Sequence, residues 1–169
     1  MQENPSVELL DSLLDSWDRN NRILVNLLRA IPPDHLQTRA VFGSPCIAQL
    51  FTHIHFVRLV FVQEDAPAFA QDLPAEEWLL ELDPARIERL LNESAALVRK
   101  VAEHTVREGE EMQRHYDHPL LFLQHMIWHE GYHHGQIKLA LKLAGFPLSD
   151  EQIGPGTWSL WMKKSRRLT

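Results

Sequence analysis

The sequence of 169 residues contains a single cysteine, Cys46. One thiol can form neither an intramolecular disulfide nor a thiolate-rich zinc site, so a metal, if bound, must be held by histidine and carboxylate. Basic charge is also short: 17 Lys plus Arg face 23 Asp plus Glu, for a net charge of −6. That balance argues against a nucleic-acid surface, which needs a basic stripe. The one basic cluster, Lys163, Lys164, Arg166 and Arg167, reads as a solvated chain end without a function. No apolar run approaches the ~20 residues that span a bilayer. The opening Met-Gln-Glu-Asn-Pro lacks the basic and apolar regions of a secretory leader. Strand-like alternation and internal repeats are missing as well. The expectation is a soluble, cytoplasmic protein that binds neither nucleic acid nor membrane.

What is present is a globular composition, 44% hydrophobic and 24% charged, with five Trp and seven Phe to bury. A chain of this size buries roughly 70% of its unfolded surface, so one domain over residues 1–169 with a proper core is expected. The periodicity is helical throughout. Val7, Leu10, Leu14, Trp17, Leu24 and Leu28 keep three-and-four spacing over residues 6–30, and Pro32-Pro33 ends that helix. Ser44 as N-cap and Pro45 in the first turn predict a second helix through Ile47, Leu50, Phe51, Ile54, Val57, Arg58 and Phe61 to about Gln63. Pro67, Pro74 and Pro84 mark a long connection with one helical turn around Ala75 to Leu80. A third helix spans about 84–106. Residues 107–116, polar and containing Gly109, read as a loop or a two-strand hairpin. His118-Pro119 opens a fourth, strongly apolar helix of about 27 residues, stopped by Gly145 and Pro147. A turn at Gly154–Thr157 then leads to a short capped helix that packs Trp158 and Trp161 onto the bundle. The predicted fold is all-α, a four-helix bundle with one long crossover and a short C-terminal helix, and such crossovers join parallel neighbours.

Ten histidines is a high count for this length. His125, His129 and His133 recur every four residues on helix four, with His134 beside them. Imidazoles four apart on one helix can share a metal ion. A lone inward histidine reads as a hydrogen-bonded core residue, but three in register on an apolar face point to metal. A catalytic site needs about three protein ligands and an open position, so another helix must contribute. Helix two offers His53 and His55, which project about 200° apart, so only one of them is expected to face inward. His53 shares a side with Gln49, Leu50 and Val57 and is the choice on periodicity.

His129-Glu130-Gly131-Tyr132-His133 also matches the H-E-x-x-H signature of zinc proteases. The metzincin continuation is missing after His133, the downstream carboxylate Glu151 lies beyond a Gly-Pro break, and no strand pattern offers a substrate-binding edge. A protease is the weaker reading.

With these residues in view, the chain resembles the DinB/YfiT superfamily of metalloenzymes, small four-helix bundles with a three-histidine site. The matching features are Ser44-Pro45 followed by Leu50-Phe51-Thr52-His53 on helix two, and His129-Glu-Gly-Tyr-His133 followed by His134-Gly135-Gln136 on helix four. Trp17-Asp-Arg-Asn-Asn21 and Gly145-Phe-Pro147 look familial too. His134 stands where the family commonly has arginine. The resemblance implies that His53, His129 and His133 are the metal ligands, with His125 a neighbour. It further implies metal-assisted transfer or isomerisation with a low-molecular-weight thiol and a small-molecule substrate.

Three neutral imidazoles would leave a dication its full charge, so a bound thiol or water would ionise near neutral pH. Glu130 and Gln136 are the candidates to orient a ligand imidazole or act as a base, and each also reads as a solvated or interhelical contact. Trp128 and Tyr132 read as packing. Zinc or nickel is the expected ion, with iron or copper also suited to three imidazoles and manganese a further alternative. A hydrolase using metal-bound water is an alternative. A bundle in which the ion only clamps two helices is another, its fourth position then closed by His125 or His55. Aromatic residues left on a bundle surface often pair, and a homodimer is expected.

Overall fold

The computed structural model describes residues 5–162, and side chains from residue 8 onward. The basic cluster Lys163, Lys164, Arg166 and Arg167 lies outside the described residues. Four long helices form the body: α1 (Pro5–Ala30), α2 (Ile47–Asp65), α3 (Pro84–Glu108) and α4 (Pro119–Leu143). A four-residue α5 (Asp150–Ile153) and several 3₁₀ turns follow or join them. Among the described residues there is no β-strand, only an isolated bridge between Arg39 and Cys46. The hairpin alternative for residues 107–116 is therefore not realised.

Helix ends follow local chemistry. The Asp83 carboxylate accepts Ala85 N–H at the start of α3, with Pro84 behind it. His118 Nδ1 accepts Leu120 N–H at the start of α4. Gly109 ends α3 at φ 67°, a left-handed conformation that favours glycine.

One expected helix end and one expected turn are corrected. Ser44 does not cap α2; its hydroxyl closes a turn on Val41 O at 2.8 Å. The helix begins two residues later, with Cys46 at the cap position and its N–H bound by Gln49 Oε1 at 3.1 Å. The first-turn amides of Ile47 and Ala48 donate to Thr38 O and Leu36 O, so the preceding loop does the capping that a serine would have done. In the crossover the helical turn falls at Pro67–Phe69, not around Ala75–Leu80.

α1 and α2 each pack against both α3 and α4. The core has two apolar halves. One contains Leu24, Leu28, Ile47, Phe51, Ile54, Ile87, Leu91, Ile137 and Leu141. The other contains Leu10, Leu14, Trp17, Leu59, Val62, Val98, Val101, Phe122 and Met126. In α2 and α3 the first half comes first along the chain, and in α1 and α4 it comes last, so α2 and α3 run parallel and opposite to α1 and α4. The crossover follows from that direction. Between the halves lies a buried polar layer: Asn20, Asn21, Arg58, Ser94 and Glu130, with His53 and His133 at its edge.

The C-terminal expectation also needs correction. Leu160 is the residue buried there, while Trp158 and Trp161 are 50% and 43% exposed. The 3₁₀ spacing of Trp158–Met162 brings Leu160 inward and leaves both indoles half exposed, the Trp158 ring lying against Gly154.

Candidate metal centre

α2 and α4 bring His53, His129 and His133 together, each offering a nitrogen within 4.8 Å of the others, in a group that could hold a metal ion. His129 Nε2 and His133 Nε2 lie 3.0 Å apart. Two nitrogens sharing a tetrahedral ion at about 2.0–2.1 Å would be about 3.3 Å apart, so the observed separation needs little change. His53 presents its ring edge-on to His133, with centroids 4.8 Å apart and planes at 81°.

Hydrogen bonds set the tautomer of His133. Gln136 Nε2 donates to the Tyr132 hydroxyl at 3.0 Å, which turns Oε1 toward His133 Nδ1 at 2.7 Å. A carbonyl oxygen only accepts, so Nδ1 carries the proton and the Nε2 lone pair faces His129. Burial lowers the basicity of all three ligand candidates. The His53 pKa falls to about 4, chiefly by desolvation and then by His133. The His129 pKa falls to about 3, again by desolvation first and then by the neighbouring histidines and Arg58. His133 is lowered by desolvation, with the Gln136 bond opposing. All three are neutral at pH 7, the form in which imidazole binds metal. The Nδ1 atoms of His53 and His129 are buried without a hydrogen bond, so nothing inside the protein competes for the ring nitrogen that each turns toward the cluster. This donor set fits a borderline divalent ion.

A family model for the DinB family matches residues 1–150. The chain belongs to the DinB family. No curated protein and no solved structure matches it.

In this DinB chain the other histidines are placed elsewhere. His55 is buried too, contrary to the expectation that only one of the pair faces inward: its Nδ1 lies 2.9 Å from Leu90 O of α3. α2 is covered on more than one side, so residues about 200° apart both find protein. His125 Nδ1 meets the Tyr116 hydroxyl at 2.7 Å. Neither joins the three-histidine group. His134 is half-buried, and its Nε2 has no hydrogen-bond partner.

Glu130 is 1% exposed and receives Arg58 Nε and Nη2 at 2.7 and 2.8 Å and Asn20 Nδ2 at 2.5 Å. Its carboxylate is thus an interhelical contact, one of the two roles its position allowed. Trp128 and Tyr132 are exposed at 72% and 57% and do not pack into the core as expected.

Sequence reasoning missed two features. One is Arg58, whose guanidinium lies in the polar layer; an arginine inside an otherwise apolar helix was the available signal, since a buried cation demands a partner. The other is Trp78 of the crossover, stacked on His53 with centroids 3.9 Å apart and planes at 5°. No local spacing announced it.

Proposed function

We propose that this DinB protein is a metal-dependent enzyme that transfers a low-molecular-weight thiol to a small electrophile, with a divalent ion held by His53, His129 and His133. Zinc or nickel is the ion proposed; iron and copper suit three imidazoles as well, and manganese, which favours oxygen donors, suits them least. The observation that carries the reading is the convergence of the three neutral imidazoles, with His133 fixed as a ligand tautomer through Gln136. When bound, the ion supplies a positive charge that lowers the pKa of a coordinated thiol or water.

The residues have distinct tasks. His129 and His133 offer nitrogens from successive turns of α4, and His53 offers one from α2. Gln136 is a positioning residue that holds the Nδ1 proton of His133. Trp78 fixes the plane of His53 by stacking. Glu130 serves as an anchor between helices, because its oxygens are engaged by Arg58 and Asn20. That engagement favours thiol transfer over H-E-x-x-H hydrolysis, in which the same glutamate would have to act as base on water.

The setting is read as cytoplasmic, in keeping with the unpaired Cys46; among the described residues no helix is long and apolar enough to cross a membrane. A homodimer is supported by the exposed stripe Leu121, Trp128, Tyr132, Leu139 and Leu143 on α4.

The test is to load the protein with zinc or nickel and follow conjugation of glutathione, cysteine or bacillithiol to 1-chloro-2,4-dinitrobenzene. Hydrolysis of a nitrophenyl ester without thiol is run beside it. Thiol-dependent turnover that His133→Ala abolishes is expected. Ester hydrolysis with no thiol conjugation would overturn thiol transfer in favour of a hydrolase.

A further inference from the structure

Gln136 supports His133 from within α4, whereas the support of His53 comes from the crossover. Trp78 O accepts Gln49 Nε2 at 3.0 Å, and Leu79 O accepts Thr52 Oγ1 at 2.7 Å. Both donors lie on α2 within one turn of His53, so the crossover is pinned over that residue. Trp78 stacks on one face of the imidazole. The preceding residue, Glu77, brings Oε1 to 3.0 Å from His53 Nδ1. The contact lacks the alignment of a hydrogen bond, and the buried Nδ1 is otherwise without a partner. The carboxylate is 46% exposed, which leaves it room to turn toward the ring.

We propose that Glu77 is a positioning residue of the metal centre: its carboxylate accepts the Nδ1 proton of His53 and so presents the Nε2 lone pair to the ion. The proposal rests on the three-histidine reading. Glu77 is not in the ligand group itself, so it acts through His53. A neutral imidazole carries one proton, and whichever acceptor holds it decides which nitrogen is left to bind metal. With Gln136 behind His133 and Glu77 behind His53, ligands on two helices are presented by the same nitrogen. The anionic acceptor also makes its imidazole the better donor. The crossover therefore contributes to the site directly, in addition to joining parallel helices.

The test uses the full chain, with Glu77→Ala, Glu77→Gln and His133→Ala. Zinc affinity is measured by competition with a chromophoric chelator, and the tautomers of the metal-free histidines by ¹⁵N NMR. Glu77→Ala should weaken zinc binding by about ten- to a hundredfold, the usual effect of removing such a partner. Glu77→Gln, which keeps an acceptor without the charge, should weaken it less. In the metal-free protein, His53 should carry its proton on Nδ1 in the natural chain and redistribute it in Glu77→Ala, while His133 stays unchanged. An unaltered zinc affinity in Glu77→Ala, or a His53 proton on Nε2 in the natural chain, overturns the proposal. So does weakened zinc binding with the His53 tautomer unmoved, which would mark a purely structural role. If the natural chain binds zinc no better than His133→Ala, the metal reading itself fails. The tautomer measurement needs no metal and still decides the role of Glu77.

Discussion

Arg58 of α2 and Glu130 of α4 form a two-bond ion pair with essentially no exposure, 0% for the arginine and 1% for the glutamate. Arg58 lies five residues beyond His53, and Glu130 directly follows His129. The pair therefore ties together the two helices that carry the three histidines. Arg58 Nη1 also donates to Leu91 O at 2.7 Å and to Asn21 Oδ1 at 3.0 Å, which brings in α3 and α1. The polar layer is a cross-brace at the height of the metal centre, and the apolar halves on either side exclude water from it.

Glu130→Ala should be severely destabilising, because it strands a buried guanidinium. The expected loss is about 3–5 kcal/mol of unfolding free energy, measured by urea denaturation with circular dichroism. Replacing both partners, as Arg58→Met with Glu130→Leu, should recover a large part of that loss. A Glu130→Ala chain as stable as the natural one would remove the brace from the account.

Trp17 fills the space beneath this pair. It has no exposure, donates Nε1–H to Ala95 O at 2.9 Å, and lies with its ring 4.9 Å from the Arg58 guanidinium carbon. Trp17→Ala should cost about 3–5 kcal/mol by the same denaturation measurement. Trp17→Phe should cost less, since it keeps most of the volume.

Gln136→Ala removes the acceptor behind His133 Nδ1 and frees the ring to place its proton on either nitrogen. Zinc affinity should fall by about ten- to a hundredfold in a chelator competition. Tyr132→Phe, which removes only the partner of the Gln136 amide, should have a smaller effect in the same direction. Equal affinity in all three proteins would show that the tautomer is set by something else.

The fold was readable wherever its cause was local. Pro32-Pro33, Asp83-Pro84, His118-Pro119 and Gly145 bound the helices because each changes what the backbone can do within a few residues. The start of α2 was misplaced because the carbonyls of Thr38 and Leu36 cap it, and those partners lie eight or more residues away. Local composition points to a crossover turn at Ala75 to Leu80, but that stretch is held open by its bonds to Gln49 and Thr52. At the centre, the spacing on α4 marks His125, His129 and His133 alike and only the family resemblance sets His125 apart, while the choice between His53 and His55 depends on which neighbour each side of α2 meets. Arg58 and Glu130 were each visible as a charge in an apolar helix, and only tertiary packing showed that they pair.

Stability of the metal-free protein should depend on pH in an identifiable window. His53 and His129 are held below their ordinary value of 6.5, at about 4 and about 3, by burial and by neighbouring histidines. Above pH 6.5 these rings are neutral in both folded and unfolded chains, and they impose no pH dependence. Below it the unfolded chain binds protons that the folded chain refuses, so stability falls as pH drops from about 6.5 toward 4. Thermal unfolding between pH 7.5 and 4.5 should show a falling Tm, and His53→Ala should flatten the decline. A Tm that rises on acidification would contradict the buried neutral state of these rings.

The central claim is tested most directly by the metal content of protein purified without a metal-binding tag, read by elemental mass spectrometry. The natural chain is compared with His53→Ala, His129→Ala, His133→Ala and His125→Ala. The account predicts about one divalent ion per natural chain, its loss in the first three variants and its retention in His125→Ala. A natural chain without metal at near-physiological supply, or loss confined to His125→Ala, would contradict it.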